Sequence, residues 1–214
     1  MGSALNLIFD FDRTLFDTAQ FEADLSAIFL RFGVPATLFK SSMRAAMLIQ
    51  NEDLNFDYTF EKHLAVLKSL GFDLPREILS ELNSLVGPHY VFVGVKAMLE
   101  FVRPRVESLL LLTAGNPEFQ KMKVDKSGLA DFFTECIYLH TGKEKIVQDY
   151  LTKGRLIFVN DNMKENEIIR TQCLEAQIVG KRALDRDSRE LADASGLPYF
   201  DSISELFLYL QTIL

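Results

Sequence analysis

The stretch "FDFDRTLFDT", residues 9–18, closes the apolar run Leu5-Asn6-Leu7-Ile8-Phe9 with two carboxylates, Asp10 and Asp12, two positions apart. The run over 5–11 alternates little, which is the pattern of a strand buried on both faces of a parallel sheet. Charges at the mouth of such a strand are costly unless something compensates them. That cost is the first pointer to a site.

Further apolar runs follow the same pattern. Residues 107–113, "ESLLLLT", 136–139, 155–160, "RLIFVN", and 176–179 read as strands. Between and after them, helical spacing runs over 95–102, 117–126, 143–151, 164–174, 188–194 and 202–213. Strands alternating with helices predict a parallel sheet covered on both faces. Residues 18–92 break that rhythm. Apolar residues Phe21, Leu25, Ile28, Phe29 and Phe32 recur at three-and-four spacing. Helices are expected at 19–32, 38–49, 56–70 and 76–86, with breaks at Gly33, Pro35, Gly71 and Pro75. The expected fold is therefore an α/β Rossmann-like parallel sheet, built from 1–17 and 93–214, interrupted by an all-helical insertion over 18–92.

The bulk numbers bound the function. The 214 residues are 48% hydrophobic and 25% charged, as in ordinary globular domains, and carry a formal net charge of −7. No Lys/Arg cluster interrupts that balance, so no nucleic-acid partner is expected. No run approaches the ~18 apolar residues of a membrane span. No basic, apolar leader precedes the first strand, so a cytoplasmic location is expected. Cys136 and Cys173 read as free packing residues, and His63, His89 and His140 lack metal or triad spacing.

In such sheets ligands bind beyond the carboxyl ends of the strands. Those ends offer Asp10, Asp12 and Thr14; Thr113, Ala114, Gly115 and Asn116; Lys143 and Lys145; and Asp161, with Glu165 one turn on. Three aspartates at one edge would repel one another unless a cation lies among them. The donors are all oxygens, which favours Mg²⁺ and leaves coordination positions for water and a phosphate oxygen. A threonine, backbone amides and a lysine suit the remaining phosphate oxygens.

These residues, in this order, resemble the haloacid dehalogenase superfamily over nearly the whole chain. The matching motifs are Asp10-x-Asp12-x-Thr14, Thr113 after "LLLL", Lys143 in "TGKEK" and Asp161 in "FVNDN" followed by Glu165. The stretch "TAGNPEFQKMKVDKSGLADFF" also resembles phosphatases of that superfamily, and the insertion at 18–92 matches its helical cap. The resemblance implies that Asp10 is the nucleophile and Asp12 the general acid and base. It implies that Thr113, the Ala114 amide and Lys143 hold the phosphoryl oxygens. Asp10, the Asp12 carbonyl and Asp161 would bind Mg²⁺, with Glu165 a further candidate. Lys145 competes with Lys143, which is preferred because it opens a helix after Gly142. Arg13 stands where the family usually has glycine, and Asn160 where it commonly has Gly or Asp.

The implied activity is Mg²⁺-dependent hydrolysis of a small phosphate monoester, of the nucleotide or sugar phosphate class, through an aspartyl phosphate. The implied partner is that small molecule, with the chain a monomer or homodimer. The alternatives are a phosphomutase on the same residues, or a non-catalytic binding protein on the same fold.

Overall fold

The computed structural model describes residues 4–47 and 57–214. Its sheet has six parallel strands in the order β3-β2-β1-β4-β5-β6. These are β1 (Leu5–Phe9), β2 (Ser108–Ala114), β3 (Glu135–Leu139), β4 (Arg155–Asn160), β5 (Gln177–Lys181) and β6 (Tyr199–Phe200). β1 sits at the centre, paired with β2 on one side and β4 on the other.

The period of two along each strand divides the core. Leu7 and Phe9, Leu109 and Leu111, Ile157 and Val159 face one apolar cluster. Ile8, Leu110, Leu112, Leu156 and Phe158 face the other. Both faces are dry, which is why these runs alternate so little in sequence.

Between β1 and β2 the described residues form α1 (Thr18–Arg31), α2 (Ala36–Met47), α3 (Phe60–Ser69), α4 (Glu77–Leu85) and α5 (Val95–Val102). Expected helical residues 48, 49 and 56 lie outside the described residues. The Asp17 side chain caps α1 by accepting from the Gln20 amide, and Thr59 caps α3 through the Lys62 amide. Phe21, Leu25, Ile28 and Phe29 of α1 join the same apolar cluster as Leu7 and Phe9, so this core runs unbroken from sheet to insertion.

The remaining helices are α6 (Pro117–Ser127), α7 (Lys143–Leu151), α8 (Met163–Gln172), α9 (Arg189–Ala194) and α10 (Ile203–Ile213). Asn116 caps α6 and Pro117 opens it, a pre-organised start. Ser202 and Glu205 form a reciprocal capping box on α10.

Two of the differences from the sequence reading lie at β1 and β6. β1 stops at Phe9, not at residue 11, because the chain turns back at once. The amides of Leu15 and Phe16 both donate to the Phe11 carbonyl, and Arg13 adopts φ 60°. β6 was not expected from sequence. It is two residues long, and its Tyr199 lies flat against Gly180, where a Cβ would come within 2.0 Å of the ring.

Candidate active site

The carboxyl ends of β1, β2 and β4 bring the candidate residues together. Asp10 leaves β1 buried. Its Oδ1 accepts from Lys143 Nζ at 2.6 Å and its Oδ2 from Thr14 Oγ1 at 2.9 Å. Burial raises the Asp10 pKa, and Lys143 only partly offsets it. Lys143 reaches this point because Gly142, at φ 88°, turns the chain into α7. Burial works against the Lys143 ammonium, but Asp10 and Glu165 outweigh it and hold its pKa above the ordinary value. Lys145 is exposed, so the lysine at the site is Lys143.

Asp161 follows β4, buried and ion-paired with Arg186. Burial first, then the Asp10 charge, push its pKa up to about 8. Thr113 is buried near the end of β2, its Oγ1 accepting from Gln120 Nε2 at 3.1 Å, and Ala114 ends the strand. Glu165 Oε2 accepts from Lys143 Nζ and from Asn160 Nδ2, both at 2.9 Å, so it orients the lysine. Asn160 also donates to Asn166 Oδ1 at 2.9 Å, while its own Oδ1 is buried without a partner among the described residues.

Asp12 corrects the picture of three crowded carboxylates. Its Oδ1 is ion-paired with Lys123 and accepts from Thr18 Oγ1 at 2.6 Å, and its Oδ2 accepts from Gln120 Nε2 at 2.7 Å. Burial opposes its ionisation, but Lys123, Thr18 and Gln120 outweigh it and hold the pKa below the ordinary value. Lys123 is itself buried, with Nζ 5.1 Å from the centre of the Phe16 ring. Sequence reasoning missed Lys123 and Gln120. The available signal was on α6, where Gln120, Lys123, Val124 and Ser127 share one buried face at helical spacing.

Arg13 turns away from Asp10. Its guanidinium pairs with Glu22 of α1 at 3.1 Å and with Asp185, in the loop after β5, at 3.0 Å. Positive φ is uncommon outside glycine, and this double clasp fixes it here.

No three His, Cys, Asp or Glu side chains converge as a metal cage among the described residues. The remaining donors are the Asp10 and Asp161 carboxylates and the Asp12 carbonyl. Both carboxyls are buried, with pKa values raised chiefly by that burial. A divalent cation would relieve this, and Mg²⁺ typically takes one or two carboxylates and keeps several waters. The residues therefore fit Mg²⁺.

No family model and no curated protein matches the sequence. Solved structures do match along almost the whole chain. A protein assigned to the haloacid dehalogenase-like hydrolases, from Burkholderia xenovorans LB400, is 19% identical with a TM-score of 0.72, covering 95% of each chain. One assigned as a beta-phosphoglucomutase, from Thermotoga maritima, is 18% identical with a TM-score of 0.67, covering 100% of each. One assigned as the HAD-hydrolase YfnB of Bacillus subtilis, bound to magnesium, is 14% identical with a TM-score of 0.62, covering 98% of this chain and 99% of that one. With its central β1, its parallel strand order and its helices inserted before β2, the chain has the fold of the haloacid dehalogenase superfamily.

Proposed function

We propose that the chain is a Mg²⁺-dependent phosphatase acting on a small phosphate monoester. The observation that carries this reading is the pairing of Asp10 Oδ1 with Lys143 at 2.6 Å, beside Asp161, while Asp12 is held apart by its own lysine. Two carboxylates in two environments suit two roles.

Asp10 attacks phosphorus through a carboxylate oxygen, and the bond from phosphorus to the ester oxygen breaks. Asp12 enters ionised, takes the proton of the phosphate monoanion and passes it to the departing alkoxide. Asp12 then removes a proton from water as that water attacks the aspartyl phosphate, releasing phosphate and restoring Asp10. Lys143 and the Thr113 hydroxyl hold the phosphoryl oxygens as charge develops. Asp10, Asp161 and the Asp12 carbonyl would hold Mg²⁺, which would supply charge neutralisation at the phosphoryl group. Gln120 links the Thr113 hydroxyl to the Asp12 carboxylate through one amide nitrogen, so the two ends of the reacting group are set in register.

The likeness to a protein assigned as a mutase makes transfer to a second sugar hydroxyl the alternative. Phosphate release from nitrophenyl phosphate with Mg²⁺ tests the reading. Wild type releases phosphate and Asp10→Asn does not. Equal release by both, or only transfer between sugars with no free phosphate, would contradict hydrolysis at Asp10.

A further inference from the structure

Glu118, Lys121, Asp125 and Lys126 of α6 are exposed, whereas Lys123 on the same helix is buried. Its ammonium lies among four phenylalanine rings. Phe11 at 5.4 Å and Phe16 at 5.1 Å come from the turn after β1, Phe21 at 5.9 Å from α1 and Phe119 at 5.9 Å from α6, each measured to the ring centre. All four fall within the ~6 Å at which a ring attracts a cation. Burying an ammonium is costly unless it is paired and hydrogen-bonded. Here Nζ donates to Asp12 Oδ1 and, at 3.1 Å, to Gln120 Oε1.

Gln120 closes the arrangement. Its Nε2 donates to Asp12 Oδ2 at 2.7 Å and to the Ala114 carbonyl at 2.8 Å, which ties it to the end of β2. Asp12 is thus gripped at both carboxylate oxygens by two residues one turn apart on α6. Thr18 adds a bond to Oδ1 at 2.6 Å. A lysine side chain is rich in rotamers when free, and the cage of rings removes that freedom.

We propose that Lys123 is a positioning residue for proton transfer. Its caged ammonium fixes the orientation in which Asp12 relays a proton to the departing oxygen and later takes one from water. Lys123 touches no reacting atom and acts through Asp12. The proposal rests on the reading of Asp10 as the phosphoryl acceptor and Asp12 as the acid and base, and adds to it the residue that aims the acid.

Two aryl phosphates and a double variant test this. The value of kcat/KM covers the steps through departure of the alcohol, so it reads the first proton transfer. Phenyl phosphate differs from nitrophenyl phosphate by the nitro group alone and has the more basic leaving oxygen. Lys123→Met should lose roughly 10²-fold in kcat/KM with phenyl phosphate, the lower end of what general acid–base help is worth because Thr18 and Gln120 still hold Asp12, and much less with nitrophenyl phosphate. In protein already carrying Asp12→Ala, the same change should leave the ratio of the two substrates unmoved, because residues acting as one unit are not additive. Lys123→Gln, which removes the ammonium and keeps a polar side chain, gives the same pattern and serves if Lys123→Met does not fold. Lys121→Gln, which removes an exposed charge from the same helix, leaves the ratio intact.

Equal losses with both substrates overturn the positioning role and keep the hydrolase. A shift of the ratio that persists in the Asp12→Ala background does the same, because Lys123 then acts by another route. Wild type without turnover that depends on Asp10 removes the hydrolase, and the positioning role falls with it.

Discussion

Lowering the pH from 7 to 5 is expected to weaken the fold through one buried imidazole, His63. The ring is fully buried in α3, with Nε2 2.8 Å from Ser42 Oγ and Nδ1 3.0 Å from Tyr58 Oη. Ser42 donates its proton to the Leu38 carbonyl at 2.7 Å, so its oxygen accepts from Nε2–H, and Nδ1 accepts from the Tyr58 hydroxyl. Every proton is placed for the neutral ring. Burial lowers the His63 pKa from 6.5 to about 4. A depressed histidine pKa means the unfolded chain binds the proton first. Stability is intact above the unfolded value and is lost as pH falls towards the folded one. With ~1.4 kcal/mol per pKa unit, the loss from this group is about 2 kcal/mol between pH 7 and pH 5, and about 3 kcal/mol by pH 4. Urea unfolding of wild type and His63→Gln at several pH values isolates it, because all other groups cancel in the difference. The wild-type advantage should shrink by about 2 kcal/mol from pH 7 to pH 5. A difference that stays constant across that window would refute the reasoning.

Three further outcomes follow from the site. Asp12→Ala should lose about 10²–10⁴ in turnover of sugar phosphates, but much less with nitrophenyl phosphate, whose leaving group needs little protonation; equal losses would remove Asp12 as the acid. Mg²⁺ at 100 times its Kd should stabilise wild type by about 2.7 kcal/mol, and Asp161→Ala should abolish the matching rise in Tm; a rise that persists in the variant would place the metal elsewhere. Lys123→Met should cost about 1–3 kcal/mol in urea unfolding, below the usual cost of breaking a buried pair because Asp12 keeps 26% of its side-chain exposure; adding Asp12→Asn should recover part of it.

Much of this architecture was legible because β1, β2 and β4 are buried on both faces, and such strands write themselves as unbroken apolar runs. Asp10 and Asp161 were legible because a carboxylate ending such a run has few structural reasons to be there. Lys143 needed the Gly142 turn as well. The rest depends on tertiary contacts that leave little local trace. β6 has two residues and exists because Gly180 makes room for Tyr199. Lys123 and Gln120 are polar positions on α6, and only the docking of that helix turns them inward onto Asp12. Arg13 replaces a residue suited to positive φ, and its clasp on Glu22 and Asp185 joins segments far apart in sequence. Asn160 is held by Glu165 and Asn166, neighbours that only the fold of α8 against β4 supplies.

The central claim is that Asp10 carries the phosphoryl group. Wild-type protein quenched in acid during turnover of nitrophenyl phosphate with Mg²⁺, then digested and examined by mass spectrometry, tests it most directly. The account predicts one added phosphoryl group on the peptide containing Asp10, absent from Asp10→Asn. A phosphoryl group on any other residue, or steady turnover with none on this peptide under any quench time, would contradict it.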